Sequence, residues 1–223
     1  MTQPGNRALG APGVSRYAAV LGSPISHSLS PALHRAAYAA LGLPWSYPAI
    51  SCAAKGLPAL LGGLGDAFVG VSLTMPLKRA VLPLLDDVTP LAAAVGAVNT
   101  VVFEGTGSSR RRRGENTDVA GMVAAIRTAT PASFAKAAVL GAGGTGAAAV
   151  AALRELGLRE VGVVVRDSGR AADLCAAADR LGVRVVLVPW PGVASLETAD
   201  LVVSTVPAGA ADSVASEGGW SPR

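Results

Sequence analysis

From residue 17 onward, short apolar runs rich in β-branched residues alternate with Ala- and Leu-rich stretches of helical period. Period two argues for strands and period 3.6 for helices. The pattern predicts a strand over 17–21, a helix over 31–41, a strand over 45–50, a helix over 53–61 and a strand over 67–73. The first helix has Ser30 as a cap, Pro31 in its first turn and Gly42 just past its end. Residues 98–103 read as a strand running into a polar loop over 104–114, with a return strand around 114–116. A second series follows: helix 119–128, strand 135–140, helix 147–156, strand 161–165, helix 170–181, strand 183–188 and strand 201–204. Alternation of this kind builds mostly parallel sheets with helices on their faces. The fold class is therefore α/β, in two successive domains joined near residue 118.

Composition narrows the picture. Of 223 residues, 51% are hydrophobic and 15% charged, enough apolar material for one large core or two modest ones. Residues 1–15 are rich in Gly and Pro and lack the apolar stretch of a secretory signal. They read as a disordered tail, and the protein as cytoplasmic. The most apolar window, 137–153, is built of Ala and Gly around a turn and falls short of a membrane span. Cys52 and Cys175 lie far apart, without CxxC spacing or clustered histidines, which argues for inert buried thiols and against a metal site. The formal net charge is +4, and Arg110, Arg111, Arg112 and Arg113 alone supply as much. Without interleaved aromatics, that run reads as a solvated hairpin loop and not as a nucleic-acid surface.

Between strand 135–140 and helix 147–156 stands Gly141-Ala142-Gly143-Gly144-Thr145-Gly146, a G-x-G-x-x-G sequence in a strand–turn–helix setting. There the first glycine permits a tight turn, the second lets backbone approach a pyrophosphate and the third lets helix pack on strand. The helix N-terminus offers N–H groups and a partial positive charge to the anion. About twenty residues on, an acid would receive the ribose of NAD, or arginine the 2′-phosphate of NADP. Here Arg166-Asp167-Ser168 follows strand 161–165, with Arg170 close behind. Two guanidinium groups suit a phosphate dianion and favour NADP. Asp167 either accepts from a ribose, which keeps NAD open, or caps the next helix.

The polar residues Ser28, Ser30, Thr74, Lys78, Asn99 and Asp118 fall at the ends of predicted strands, where parallel sheets seat ligands. Gly22-Ser-Pro-Ile-Ser-His-Ser28-Leu-Ser30-Pro31 with Leu33-His34 resembles the N-terminal signature of the shikimate and quinate dehydrogenase family. Val71-Ser-Leu-Thr74-Met-Pro-Leu-Lys78 resembles its T-x-P-x-K segment, Gly96-Ala-Val-Asn99-Thr100 its GAVNT and Asn116-Thr117-Asp118 its NTD. The resemblance spans about 17–207. It implies a substrate domain over 16–117 with a mostly parallel sheet and a Rossmann-like NADP-binding domain over 118–223. It also implies that Ser28, Ser30, Thr74 and Asn99 hold shikimate and that Lys78 and Asp118 form the catalytic pair. Thr205 and Val206 join the cofactor set. The chain departs from the family at Ser72-Leu73, where Asn-Val is usual, a swap expected to weaken local polar contacts.

The implied reaction is reduction of 3-dehydroshikimate to shikimate by NADPH, in aromatic biosynthesis. Charge develops on the ketone oxygen as hydride arrives, so the site needs a cationic proton donor and a partner to hold it. Lys78 and Asp118 suit those roles. His27 and His34 have no nucleophile or carboxylate beside them in sequence and read as helix packing and capping. Two other readings stand beside this one: an NAD-dependent quinate/shikimate dehydrogenase, and a protein that binds cofactor or shikimate without turnover. The second rests on the chain's end, where ADSVASEGGWSPR is polar and turn-rich while the family continues with further strands and a closing helix. By that reading the second domain is truncated and the chain feebly active.

Overall fold

The computed structural model describes residues 13–191, 196–212 and 214. The expectations for residues 1–12 and 215–223 lie outside the described residues. The chain forms two compact units, residues 1–92 with 98–115, and residues 93–97 with 116–223.

The first unit contains β1 (Arg16–Gly22), α1 (Ser30–Ala40), β2 (Trp45–Ser46), β3 (Ala49–Ser51), α2 (Leu57–Gly63), β4 (Phe68–Leu73), α3 (Leu77–Ala80) and β5 (Asp87–Val88). α4 (Pro90–Val95) begins in this unit and ends in the other. The first unit closes with β6 (Thr100–Glu104) and β7 (Arg111–Glu115). Its sheet runs β2-β1-β4-β6-β7-β5, with β3 also on β1. β2, β3 and β4 are parallel to β1, whereas β6 is antiparallel to both β4 and β7. Ala19, Leu21, Val71, Leu73 and Val101 on one face of the sheet pack with Leu57, Leu61, Leu77 and Val81 into one core. The strand expected over 45–50 is two short strands parted at Tyr47-Pro48, because proline has no N–H to give a ladder. Two residues of the stretch expected as a tail are engaged: Val14 packs on the core and the Ser15 N–H donates to the Pro44 carbonyl at 2.8 Å.

The arginine run corrects its sequence reading. Arg111, Arg112 and Arg113 lie in β7, paired with Glu104, Phe103 and Val102 of β6. Arg110 donates to the Leu64 carbonyl and, at 2.6 Å, to the Phe68 carbonyl, and its guanidinium lies 4.1 Å over the Phe103 ring. Arg113 is held between Glu104 at 2.8 Å and Glu115 at 2.9 Å. The run is a structural strand with its loop turned back at Arg110.

The second unit contains α5 (Asp118–Ala129), β8 (Ala137–Leu140), α6 (Gly144–Glu155), β9 (Glu160–Val165), α7 (Ala172–Leu181), β10 (Arg184–Pro189) and β11 (Leu201–Ser204). Its sheet is parallel throughout, in the order β10-β9-β8-β11. β8 is buried along its whole length and α6 from Gly146 to Leu153. A helix enclosed on every side cannot be amphipathic, which accounts for its Ala-rich sequence. Among the described residues no helix is long and apolar enough to cross a membrane. Cys52 is buried and Cys175 half-buried, both free thiols.

Candidate functional site

The order β10-β9-β8-β11 reverses between β8 and β11, and ligands of open parallel sheets seat beyond the strand ends at that point. Gly141 leaves β8 with φ +98°, a conformation that favours glycine. A Cβ there would lie 3.0 Å from both Thr205 Oγ1 and Val206 Cγ1, the residues that follow β11. The Thr205 hydroxyl and N–H both donate to the Leu140 carbonyl, at 2.8 and 3.0 Å. At Gly146 a Cβ would meet the Gly141 carbonyl oxygen at 2.4 Å, so helix and turn touch backbone to backbone.

Gly143 is different. Its φ of −77° suits any residue, and a Cβ would meet nothing within 4 Å. Neither backbone conformation nor protein packing calls for glycine there. Open space at the helix N-terminus is what a pyrophosphate needs, so these residues fit a dinucleotide. α6 starts at Gly144, three residues earlier than expected, with no capping side chain to compete with an anion. Beyond β9, Asp167 accepts the Gly169 N–H at 2.9 Å and so caps the next turn, one of its two expected roles. Arg166 and Arg170 are exposed, with no side-chain partner among the described residues.

In the first unit, backbone bonds join the ends of β1 and β4. The Thr74 N–H donates to the Leu21 carbonyl at 2.9 Å, and the Ser23 N–H to the Met75 carbonyl at 2.9 Å. The Thr74 carbonyl accepts the Leu77 N–H at 2.8 Å and so starts α3, which carries Lys78. The Lys78 carbonyl accepts the Val98 N–H at 2.8 Å, and the Asn99 carbonyl the Leu73 N–H at 2.7 Å. Thr74, Lys78 and Asn99 thus belong to one hydrogen-bonded end of the sheet. Ser28 and Ser30 form a second group, the Ser28 hydroxyl accepting the Ser30 N–H at 3.3 Å. Ser30 is the first residue of α1 and not its cap. Asp118 begins α5 in the second unit, its N–H donating to Asn116 Oδ1 at 3.1 Å.

Sequence reasoning passes over Tyr47. Its phenol donates to the Ser72 hydroxyl at 2.6 Å, so the position where the family carries Asn keeps a polar contact. The Tyr47 ring stacks on His34 at 3.8 Å and 8°, and His34 Nδ1–H donates to the Ser30 carbonyl at 2.9 Å. Burial pushes the Tyr47 phenol above its ordinary range, the Ser72 bond opposing this. No single residue type announces this stack. Among the described residues no cluster of His, Cys, Asp and Glu could hold a metal ion.

Against this geometry the comparisons with known proteins agree. The family model described as the shikimate dehydrogenase substrate binding domain matches residues 20–101. The chain is 47% identical over 169 residues to an NADP(+) shikimate dehydrogenase of Thermus thermophilus, covering 75% of this chain and 61% of that relative. A shikimate 5-dehydrogenase structure from Mycobacterium fortuitum is 44% identical, with TM-score 0.74 over 91% of this chain and 75% of that one. The structure of a Thermus thermophilus shikimate 5-dehydrogenase in complex with NADP(H) and shikimate is 42% identical, with TM-score 0.73 over 86% and 68%. The chain belongs to the shikimate dehydrogenase family. It spans about three fifths of the length of its Thermus relative.

Proposed function

We propose that the chain binds NADP at Gly141–Gly146 and shikimate at the carboxyl end of the first sheet, and interconverts shikimate and 3-dehydroshikimate. The observation that carries the cofactor half is Gly143, whose lack of a side chain answers no need of the protein itself. The NADP reading over NAD is supported by two unengaged arginines after β9 and by Asp167 being occupied as a cap.

Bound nicotinamide supplies or takes the hydride. The chain's own residues do the rest. Ser28, Ser30, Thr74 and Asn99 present hydroxyl and amide groups suited to a polyhydroxylated carboxylate. Lys78 gives a proton to the ketone oxygen as charge grows on it and takes one back in the other direction. The family resemblance pairs Asp118 with that lysine, and the start of the Asp118 helix is fixed by Asn116. The test is oxidation of NADPH, followed by absorbance, with 3-dehydroshikimate, repeated with NADH. Turnover with NADPH at low substrate concentration and little with NADH is the expected result. Binding of neither cofactor would overturn the proposal.

A further inference from the structure

Residues 93–97 belong to the second unit, although the chain up to Ala92 and from Val98 belongs to the first. Two side chains of the second unit hold this strap. Arg180, in the last turn of α7, donates Nε–H to the Ala94 carbonyl at 3.0 Å. Asn116, 6% exposed and the one buried polar residue among those described, donates Nδ2–H to the Ala97 carbonyl at 2.9 Å. The last carbonyls of a helix lack partners within it, and Arg180 satisfies one at the end of α4. Gly96 then ends the helix with φ +68°, and a Cβ there would lie 2.9 Å from an Arg180 terminal nitrogen.

Immediately beyond the strap come Val98, bonded to the Lys78 carbonyl, and Asn99, bonded to the Leu73 N–H. The strap is thus continuous along the chain with the backbone bonded to Lys78 and Leu73. α7 carries Arg180 at one end, and Arg170 lies in the turn that leads into its other end. We propose that Arg180 is a positioning residue: from the helix that follows the cofactor arginines, it fixes the strap and thereby the placement of Asn99 and Lys78. This rests on the substrate roles proposed for those two residues.

The experiment uses the full 223-residue chain and its Arg180→Ala variant, with shikimate and NADP+ as ligands. Shikimate affinity should fall about twofold to tenfold, the range of one lost hydrogen bond, with NADP+ affinity unchanged. Amide hydrogen exchange at Val98 and Asn99 should quicken, and exchange in β8 should not. Arg180→Lys, which keeps a donor for the Ala94 carbonyl, should restore most of both effects. Unchanged exchange at Val98 and Asn99 in folded Arg180→Ala overturns the proposal, as does a uniform rise across the second unit, which would mark general destabilisation. If Arg180→Ala does not fold, Gly96→Ala, which crowds the same guanidinium, is read by the same exchange criterion. Failure of the unaltered chain to bind shikimate would sink the functional reading, while exchange at Val98 and Asn99 still decides the strap.

Discussion

The candidate sites of the two units are made of different material. The candidate dinucleotide turn is backbone, six consecutive residues in which Gly141 serves conformation and Gly146 packing, while a Cβ at Gly143 would meet nothing within 4 Å. The candidate substrate residues are side chains from segments scattered between Ser28 and Asn99, of which Thr74, Lys78 and Asn99 are placed by backbone hydrogen bonds at strand ends. A contiguous site depends on local geometry, so single substitutions can separate folding from binding. A dispersed site depends on its whole unit, so substitutions there separate chemistry from binding only where a side chain has no packing role.

The largest expected effect falls on the dispersed half. Lys78→Ala should lower turnover by about two to four orders of magnitude, the usual range for a lost proton donor, while NADPH titration by fluorescence stays near normal. Equal loss of NADPH binding would break the division of labour. Next in size, Arg166→Ala with Arg170→Ala should weaken NADP+ about tenfold or more per arginine, as for charge-assisted hydrogen bonds, with NAD+ little affected. Calorimetric titration of both cofactors decides this.

The glycines sharpen the comparison within one turn. Gly146→Ala should destabilise the fold by about 1–3 kcal/mol through overpacking, read by denaturant melts. Gly143→Ala should cost less than about 1 kcal/mol of stability, a helix-cap effect, yet lower dinucleotide affinity about tenfold or more, equivalent to about 1.4 kcal/mol. Equal melts for the two variants would show that Gly143 is a packing residue too.

The arginine run gives a comparable split inside the first unit. Arg110→Ala strips the Leu64 and Phe68 carbonyls of their donor and should cost about 1–3 kcal/mol. Arg111→Ala, on an exposed residue, should stay within about 0.5 kcal/mol.

The smallest effect depends on pH. Asp200 accepts the Lys136 and Ala135 N–H groups at 2.9 and 2.8 Å, and these bonds hold its carboxyl below the ordinary 3.8. A carboxyl lowered by folding adds stability above its unfolded pKa and loses it as pH falls through the folded value. Asp200→Asn should therefore melt slightly earlier at neutral pH and lose part of the further decline seen below pH 3.8.

What is legible in the sequence follows the same divide. Segments such as 118–129 and 160–165 are located to within a residue or two, the first by its helical period and the second by its run of valines between turn signals. The Gly-rich turn is legible because its requirements are local. α3, α4 and β5 are not, being two to six residues long, too short to show a period. The arginine run misleads because charge suggests solvation, whereas a guanidinium can turn inward to carbonyls and a ring face. Tyr47, Ser72, Asn116 and Arg180 carry no motif for their partners, which lie 25, 25, 19 and 86 residues away. Such pairings exist only once the strands are assembled.

The double bond from Thr205 to the Leu140 carbonyl has an electrostatic consequence. A carbonyl oxygen offers two lone pairs, and here the N–H and hydroxyl of one residue take both. The neighbouring Gly141 oxygen is crowded by Gly146. The Leu140 acceptor is thereby engaged at the start of the turn, beside the N–H groups of the α6 N-terminus. On the proposed cofactor reading, sign is expected to count before shape, an anionic diphosphate being favoured over a cation of similar size.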